Sequence, residues 1–221
     1  MPLDALILDK DGVIFDSERI YARALAQTLA AMHLPSDPAF ISSFTGLDTQ
    51  STFAKLRATL GRDVDTERLI GEWLARKDEI YAREGLPFMP GAAELIRKAY
   101  AEGYPLGLVT SDSLDNLLED FQHTDNALMQ CFSVIITVED VVNPKPDPEP
   151  YLRAMALLGV DAERTLVVED SDFGATAALD AGANVLLLPG EREVAATVAA
   201  RVRRIIANHQ QSWEYLCAHS A

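Results

Sequence analysis

Residues 6–18 read LILDKDGVIFDSE. Leu6, Ile7 and Leu8 have the look of a buried strand, and they run straight into Asp9, Lys10 and Asp11, with Asp16 and Glu18 close behind. Two like charges ~4 Å apart repel by roughly 4 kcal/mol at an effective dielectric near 20. A chain that needed only a turn here would be served by Asn, Ser or Gly. Gathered carboxylates at the mouth of an apolar strand therefore predict a site rather than a connection.

Further runs of the same kind follow. Leu106–Val109 precedes Thr110-Ser111-Asp112, Val134–Ile136 precedes Thr137, Leu166–Val168 precedes Glu169-Asp170-Ser171, and Val185–Leu188 precedes Pro189-Gly190. Amphipathic stretches lie between them, among them Gly91–Glu102, Pro148–Leu158 and Phe173–Ala181. Strands alternating with helices of that length predict βαβ units, right-handed crossovers and a Rossmann-like α/β core with a mainly parallel sheet. Ligands bind such sheets beyond the carboxyl ends of the strands. Asp147-Pro148 reads as a helix N-cap followed by Pro at the first helical position. Gly103 and Gly182 stand where helices end before strands. The C-terminal NHQQSWEYLCAHSA reads as a short helix or a frayed tail.

Residues 17–85 break the rhythm. The pattern there is helical, over about Ser17–Met32, Pro38–Phe44, Thr49–Leu60 and Thr66–Arg83, interrupted at Pro35, Gly46 and Gly61. That is far more chain than a crossover needs. It predicts a helical cap, residues 16–85, inserted into an α/β core made of residues 1–15 and 86–221. Asp16-Ser17 reads as the start of the first cap helix.

Composition narrows the function classes. With 221 residues, 48% hydrophobic and 24% charged, the chain can bury a full core. The net charge of −15 argues against nonspecific binding to nucleic acid or an anionic membrane. No apolar run reaches the ~20 residues of a membrane span, and MPLDALILDKDG lacks the basic and cleavage features of an export signal. Cys131 and Cys217 have no metal-type spacing, and two cysteines are too few for a disulfide scaffold. A cytoplasmic monomer is expected.

Four segments carry the chemistry: Asp9 and Asp11, Thr110 and Ser111, Glu169 and Asp170, and Lys145 held between prolines in NPKPDPEPY (143–151). A parallel sheet would converge them on one crevice. Crowded carboxylates need a cation to coexist, and their hard oxygens suit Mg²⁺. An Asp facing phosphorus can form an aspartyl-phosphate, and a neighbouring protonated Asp can give its proton to the leaving oxygen and later deprotonate water. A lysine and a hydroxyl can hold phosphoryl oxygens. That inventory points to phosphoryl transfer.

DKDGV (9–13), NPKPDPEPY and EDSDFGATAALDAGA (169–183), with PGAAELI (90–96) opening the helix after the cap, resemble the haloacid dehalogenase-like superfamily in its helical-cap subgroup. The resemblance implies Asp9 as nucleophile and Asp11 as general acid/base, with the Asp11 backbone carbonyl on the metal. It implies that Lys10 acts through its backbone N–H with its side chain pointing away. Thr110 and the Ser111 backbone would bind the phosphoryl group, and Lys145 would bridge it to the nucleophile. Asp170 would ligate Mg²⁺, with Glu169 a second ligand or the partner of one. The second aspartate argues against a dehalogenase, since dehalogenases of this superfamily lack it.

Sugar-phosphate mutases of the β-phosphoglucomutase type are similar to this chain too. They carry a histidine early in the first cap helix and a cap-loop arginine, where this sequence has Tyr21 and Thr49. Lys77 matches a substrate-contacting lysine of that group. The differences favour hydrolysis. The expected function is a Mg²⁺-dependent phosphatase of a small phosphorylated metabolite, a sugar phosphate among the candidates, with the cap supplying specificity. The alternatives are a mutase and a catalytically silent phosphometabolite-binding module. Asp112 is a departure, read either as a cap for the helix beginning at Leu114 or as negative charge near the phosphoryl pocket. Asp172 reads as a first-turn residue of the following helix.

Overall fold

Ala5, Leu6, Ile7 and Leu8 are all fully buried, and in the computed structural model they form the first strand, β1 (Ala5–Leu8). The structure describes residues 2–44, 49–61, 64–190 and 193–220. Four helices follow: α1 (Ser17–Ala31), α2 (Pro38–Ser42), α3 (Thr49–Leu60) and α4 (Thr66–Glu84). The chain then alternates through α5 (Ala92–Ala101), β2 (Leu106–Val109), α6 (Leu114–Gln122), α7 (Asn126–Met129), β3 (Val134–Ile136), α8 (Glu149–Leu158), β4 (Thr165–Glu169), α9 (Asp172–Asp180) and β5 (Asn184–Leu187). It ends with α10 (Ala196–Ala199), β6 (Arg204–Ile205) and α11 (His209–His219).

The strands form one sheet in the order β3-β2-β1-β4-β5-β6, and every pairing is parallel. This is the α/β Rossmann-like architecture expected from the alternation. The central strands read as unbroken apolar runs because helices cover both faces of a parallel sheet. On one face Ile7, Val109, Val167, Val185 and Leu187 pack with Tyr151, Ala154 and Met155 of α8 and Ala175, Ala177 and Ala178 of α9. Gly107 lets α8 come close, since a Cβ there would lie 3.2 Å from Leu158.

The chain divides into two compact units, Met1–Asp16 with Pro87–Ala221, and Ser17–Leu86. Within the helical unit, α1 and α4 bury Leu25, Leu29, Leu69, Trp73 and Ile80, and the Trp73 indole N–H donates to the Tyr21 carbonyl at 2.9 Å. Asp37 and Asp65 cap α2 and α4 by accepting from the N–H groups of Phe40 and Arg68. The break expected at Gly46 lies outside the described residues, as does the side chain of Thr49.

One strand was not foreseen, one open alternative is decided and one expectation changes. β6 has only two exposed residues, too few to show a pattern. The C-terminal segment is a full helix, capped by Asn208 and anchored by buried His209, Ser212 and Leu216. Asp147 stands one residue too early to be the N-cap of α8. Pro148 holds that position, and the Asp147 carboxylate accepts from the Glu149 N–H at 2.9 Å.

Candidate active site

Leu8 is in register with Leu108 on one side and Val168 on the other. One residue further, Asp9 therefore leaves the sheet beside Val109 and Glu169. The strand order reverses direction between β1 and β4, and the crevice beyond such a reversal is where open parallel sheets bind ligands. Lys145, on the segment leading from β3 to α8, reaches this row. Its ammonium donates to Asp9 Oδ1 at 2.6 Å, to Glu169 Oε1 at 2.7 Å and to the Val109 carbonyl at 3.1 Å. An ammonium has three hydrogens, so all three are committed. The Lys145–Pro146 peptide is cis.

Glu169 is fully buried, and both of its carboxylate oxygens accept hydrogen bonds. Its Oε1 accepts from Lys145 and from the Tyr151 hydroxyl at 2.6 Å, while Oε2 accepts the Asp170 N–H at 3.0 Å and the Ser171 hydroxyl at 3.2 Å. Tyr151 is a site residue that sequence reading missed. It lies within the quoted NPKPDPEPY, but an aromatic residue at the start of a helix reads as core, and only its hydroxyl tells otherwise. Ser171 also caps α9 by accepting from the Gly174 N–H, and Asp172 begins that helix as expected.

Two glycines make this packing possible. A Cβ on Gly12, whose φ is +73°, would lie 2.0 Å from Asp170 Oδ2, and one on Gly174 would lie 1.8 Å from Glu169 Oε1. Glu169 cannot yield to such a methyl, because four neighbours fix its carboxylate. Gly174→Ala is expected to cost at least ~3 kcal/mol in urea unfolding, the upper end of overpacking penalties. Gly71→Ala on α4, where nothing lies within 4 Å, should instead gain up to ~1 kcal/mol. Equal stability of the two variants would refute the close approach.

Asp9, Glu169 and Asp170 are all buried, and each offers an oxygen within 4.8 Å of the others. A compact, all-oxygen anionic donor set fits a hard divalent cation such as Mg²⁺. On the β2 side, Thr110 is buried and its Oγ1 accepts the Asp112 N–H at 3.0 Å, which leaves the hydroxyl proton to donate elsewhere. Ser111, the next residue along, is exposed.

A model of the haloacid dehalogenase-like hydrolase family matches residues 6–188. The chain belongs to that family. This hydrolase is 33% identical over 183 residues to the validoxylamine A 7′-phosphate phosphatase of Streptomyces hygroscopicus subsp. limoneus, covering 80% of this chain and 81% of that protein. It is 29% identical over 180 residues to the phosphorylated carbohydrates phosphatase of Thermotoga maritima, covering 81% and 82%. A solved haloacid dehalogenase-family hydrolase of Deinococcus radiodurans R1 with bound phosphate and sodium superposes with a TM-score of 0.81 at 26% identity, covering 99% of this chain and 96% of that one. The expected enzyme class, phosphoric monoester hydrolase, agrees with these relatives.

The electrostatics of the hydrolase's crevice are asymmetric. Burial lifts the Asp9 carboxyl from 3.8 to about 7; Lys145 opposes the rise, and Glu169 and Asp11 add to it. Burial also works against the Glu169 carboxylate, yet Lys145, the Tyr151 hydroxyl and the Asp170 N–H outweigh it and hold Glu169 below its ordinary value. Lys145 stays charged because Asp9 and Glu169 overcome its own burial. Glu169 is thus the carboxyl of the row that its partners favour as an anion, and Asp9 the one that burial drives toward its protonated form.

The Lys10 side chain lies in a buried cluster of carboxylates. It is 2% exposed and its ammonium lies 2.8 Å from Asp112 Oδ2, 2.5 Å from Asp120 Oδ2 and 3.3 Å from Asp11 Oδ2. Asp112 is not the cap of α6, and its N–H on Thr110 Oγ1 keeps it beside that hydroxyl. Ser113 is the cap, and Asp112 shares the Lys10 ammonium with Asp120 and Asp11. Lys77 belongs to the helical unit, on α4, where its ammonium pairs with Asp78 at 2.9 Å and sits over the rings of Tyr21 and Tyr81. Among the described residues, no helix is long and apolar enough to cross a membrane.

Proposed function

We propose that this chain is a Mg²⁺-dependent phosphatase of small phosphorylated metabolites, carbohydrate phosphates first among them, working through an aspartyl-phosphate on Asp9. The carrying observation is the buried Asp9 carboxylate at the sheet mouth, with Oδ1 fixed by Lys145 and Asp170 beside it. The names of the two phosphatase relatives support the phosphomonoester class and the carbohydrate preference.

In this reading an Asp9 oxygen attacks phosphorus and the ester P–O bond breaks as Asp11 gives its proton to the departing oxygen. Water then attacks the aspartyl-phosphate, Asp11 recovers a proton from it, and inorganic phosphate leaves with Asp9 restored. Thr110 donates its hydroxyl, and Ser111 its backbone N–H, to phosphoryl oxygens. Lys145 orients Asp9, and it can also reach a phosphoryl oxygen by releasing the Val109 carbonyl, its longest bond. Asp9, Asp170 and the Asp11 carbonyl would hold Mg²⁺, with Glu169 steadying Lys145 and the Asp170 backbone or lending an oxygen of its own. Bound there, the ion offsets the charge of both the phosphoryl oxygens and the Asp9 carboxylate. Lys77 is proposed as the helical unit's substrate contact, from the resemblance.

A phosphate-release screen across sugar phosphates, phosphoglycolate and nucleotides tests the reading. Turnover should require Mg²⁺, stop with EDTA and return when Mg²⁺ is restored; isomerised sugar phosphate exceeding free phosphate would mark a mutase instead. The Asp9 shift adds a pH signature. Between pH 4 and about 7 the metal-free folded protein holds a proton on Asp9 that the unfolded chain has lost. That proton stabilises the fold, and its contribution fades as pH rises through about 7. Mg²⁺ must displace it, so affinity should fall about tenfold for each pH unit below 7. Thermal shifts should show Mg²⁺ stabilising the protein far more at pH 8 than at pH 5.5. A shift of equal size at both would count against Asp9 as a ligand.

A further inference from the structure

The buried Lys10 cluster has no part in the reaction as written, and a core position beside a nucleophile needs only an apolar side chain of similar length. Burying an ammonium among carboxylates rarely stabilises a fold relative to well-packed apolar residues, whereas removing one partner from such a group is costly. The cluster's reach suggests what it does instead. Asp120 fixes the ammonium from α6. Asp112 accepts from it on the loop after β2, and that loop's Asp112 N–H is the group that orients the Thr110 hydroxyl. Asp112 is itself held, its Oδ1 accepting the Ser113 N–H at 3.0 Å and the Asn116 side chain at 2.5 Å, and its carbonyl accepting the Val138 N–H at 3.1 Å. On the remaining side the ammonium meets the carboxylate of Asp11, which is 41% exposed while Lys10 is 2% exposed. The exposed end of the cluster is thus the proposed proton carrier, and the buried end is anchored to the phosphoryl-binding loop.

We propose that Lys10 is a positioning residue for the general acid/base: its ammonium, anchored by Asp120 and Asp112, holds the Asp11 carboxyl in fixed relation to the Thr110 loop. The inference rests on Asp11 acting as the acid/base. A group that positions an acid matters in proportion to how much the leaving group needs a proton. An alkoxide needs one and p-nitrophenolate does not, so kcat/KM for an alkyl phosphate and for p-nitrophenyl phosphate should separate.

The test uses the triple variant Lys10→Met, Asp112→Ser, Asp120→Leu, which leaves no unpaired buried charge, and alongside it Lys10→Arg, which keeps the charge but moves its donors. Unfolding by urea and circular dichroism identify the folded variants. In each folded one, kcat/KM for an alkyl phosphate is expected to fall at least ~10-fold further than for p-nitrophenyl phosphate, a fraction of the 10²–10⁴ that general acid catalysis supplies. A parallel fall for both substrates, or none, in a folded variant overturns the inference and leaves Lys10 a packing residue. Asp11→Asn sets the scale. Absence of leaving-group dependence in that variant removes the acid/base reading itself, whereas its presence there with none in the Lys10 variants removes only the positioning role.

Discussion

Asp9→Asn is expected to lower phosphate release from p-nitrophenyl phosphate by at least about 10⁴-fold while leaving the protein folded. An amide cannot displace the ester oxygen, and loss of a covalent nucleophile is among the largest single-residue effects in enzymes. The fold should tolerate the change because an amide carbonyl can still accept from Lys145, which keeps Glu169 and the Val109 carbonyl. Removing a carboxylate that burial already drives toward its neutral form should raise the metal-free melting temperature at pH 8. Mass spectrometry of wild type quenched in acid during turnover should show one added phosphoryl group, absent from the variant. Activity above one part in about a hundred, in a folded variant, would remove Asp9 from the nucleophile's role.

The fold and the family were open to sequence reading for a physical reason. A strand buried on both faces must be apolar throughout, so LILD, LGLVT and LVVED announce themselves, and in a parallel sheet their polar ends share one edge. Two exposed residues at Arg204–Ile205 have no such pattern, and β6 was invisible. The connections around Lys10 were equally hidden. A lysine between two aspartates reads as a solvated or backbone-only position, because nothing in the sequence says that Asp112 and Asp120, more than a hundred residues away, close on it. Asp112 nevertheless stood out as an extra acid beside the phosphoryl pocket, and an unexplained charge there was the available signal. Tyr151 gave none, since burial of its ring and the hydrogen bond of its hydroxyl to Glu169 are separate facts. Gly12 and Gly174 were legible only as parts of a motif. Their reason, carboxylates closer than a methyl group allows, needs coordinates.

Lys145→Met should remove both activity and stability, in a pattern that separates the two. The ammonium is the shared partner of Asp9 and Glu169, and Met replaces its length without its charge. Breaking a buried ion pair by deleting one partner costs about 3–5 kcal/mol, and here two carboxylates are left facing each other across adjacent strands. Protonation relieves that repulsion, and Asp9, already titrating near 7, is the group that takes the proton. The stability difference from wild type should therefore be largest at pH 8 and shrink toward pH 5. Adding Asp9→Asn in the same chain removes one of the two charges, so the double variant should recover much of the lost stability at pH 8 and none of the activity. Such non-additivity is what contact between the two side chains requires. Additive losses in urea unfolding, or a deficit that does not change with pH, would mean that Lys145 stabilises the protein through its packing against Tyr151 and not through the carboxylates it joins.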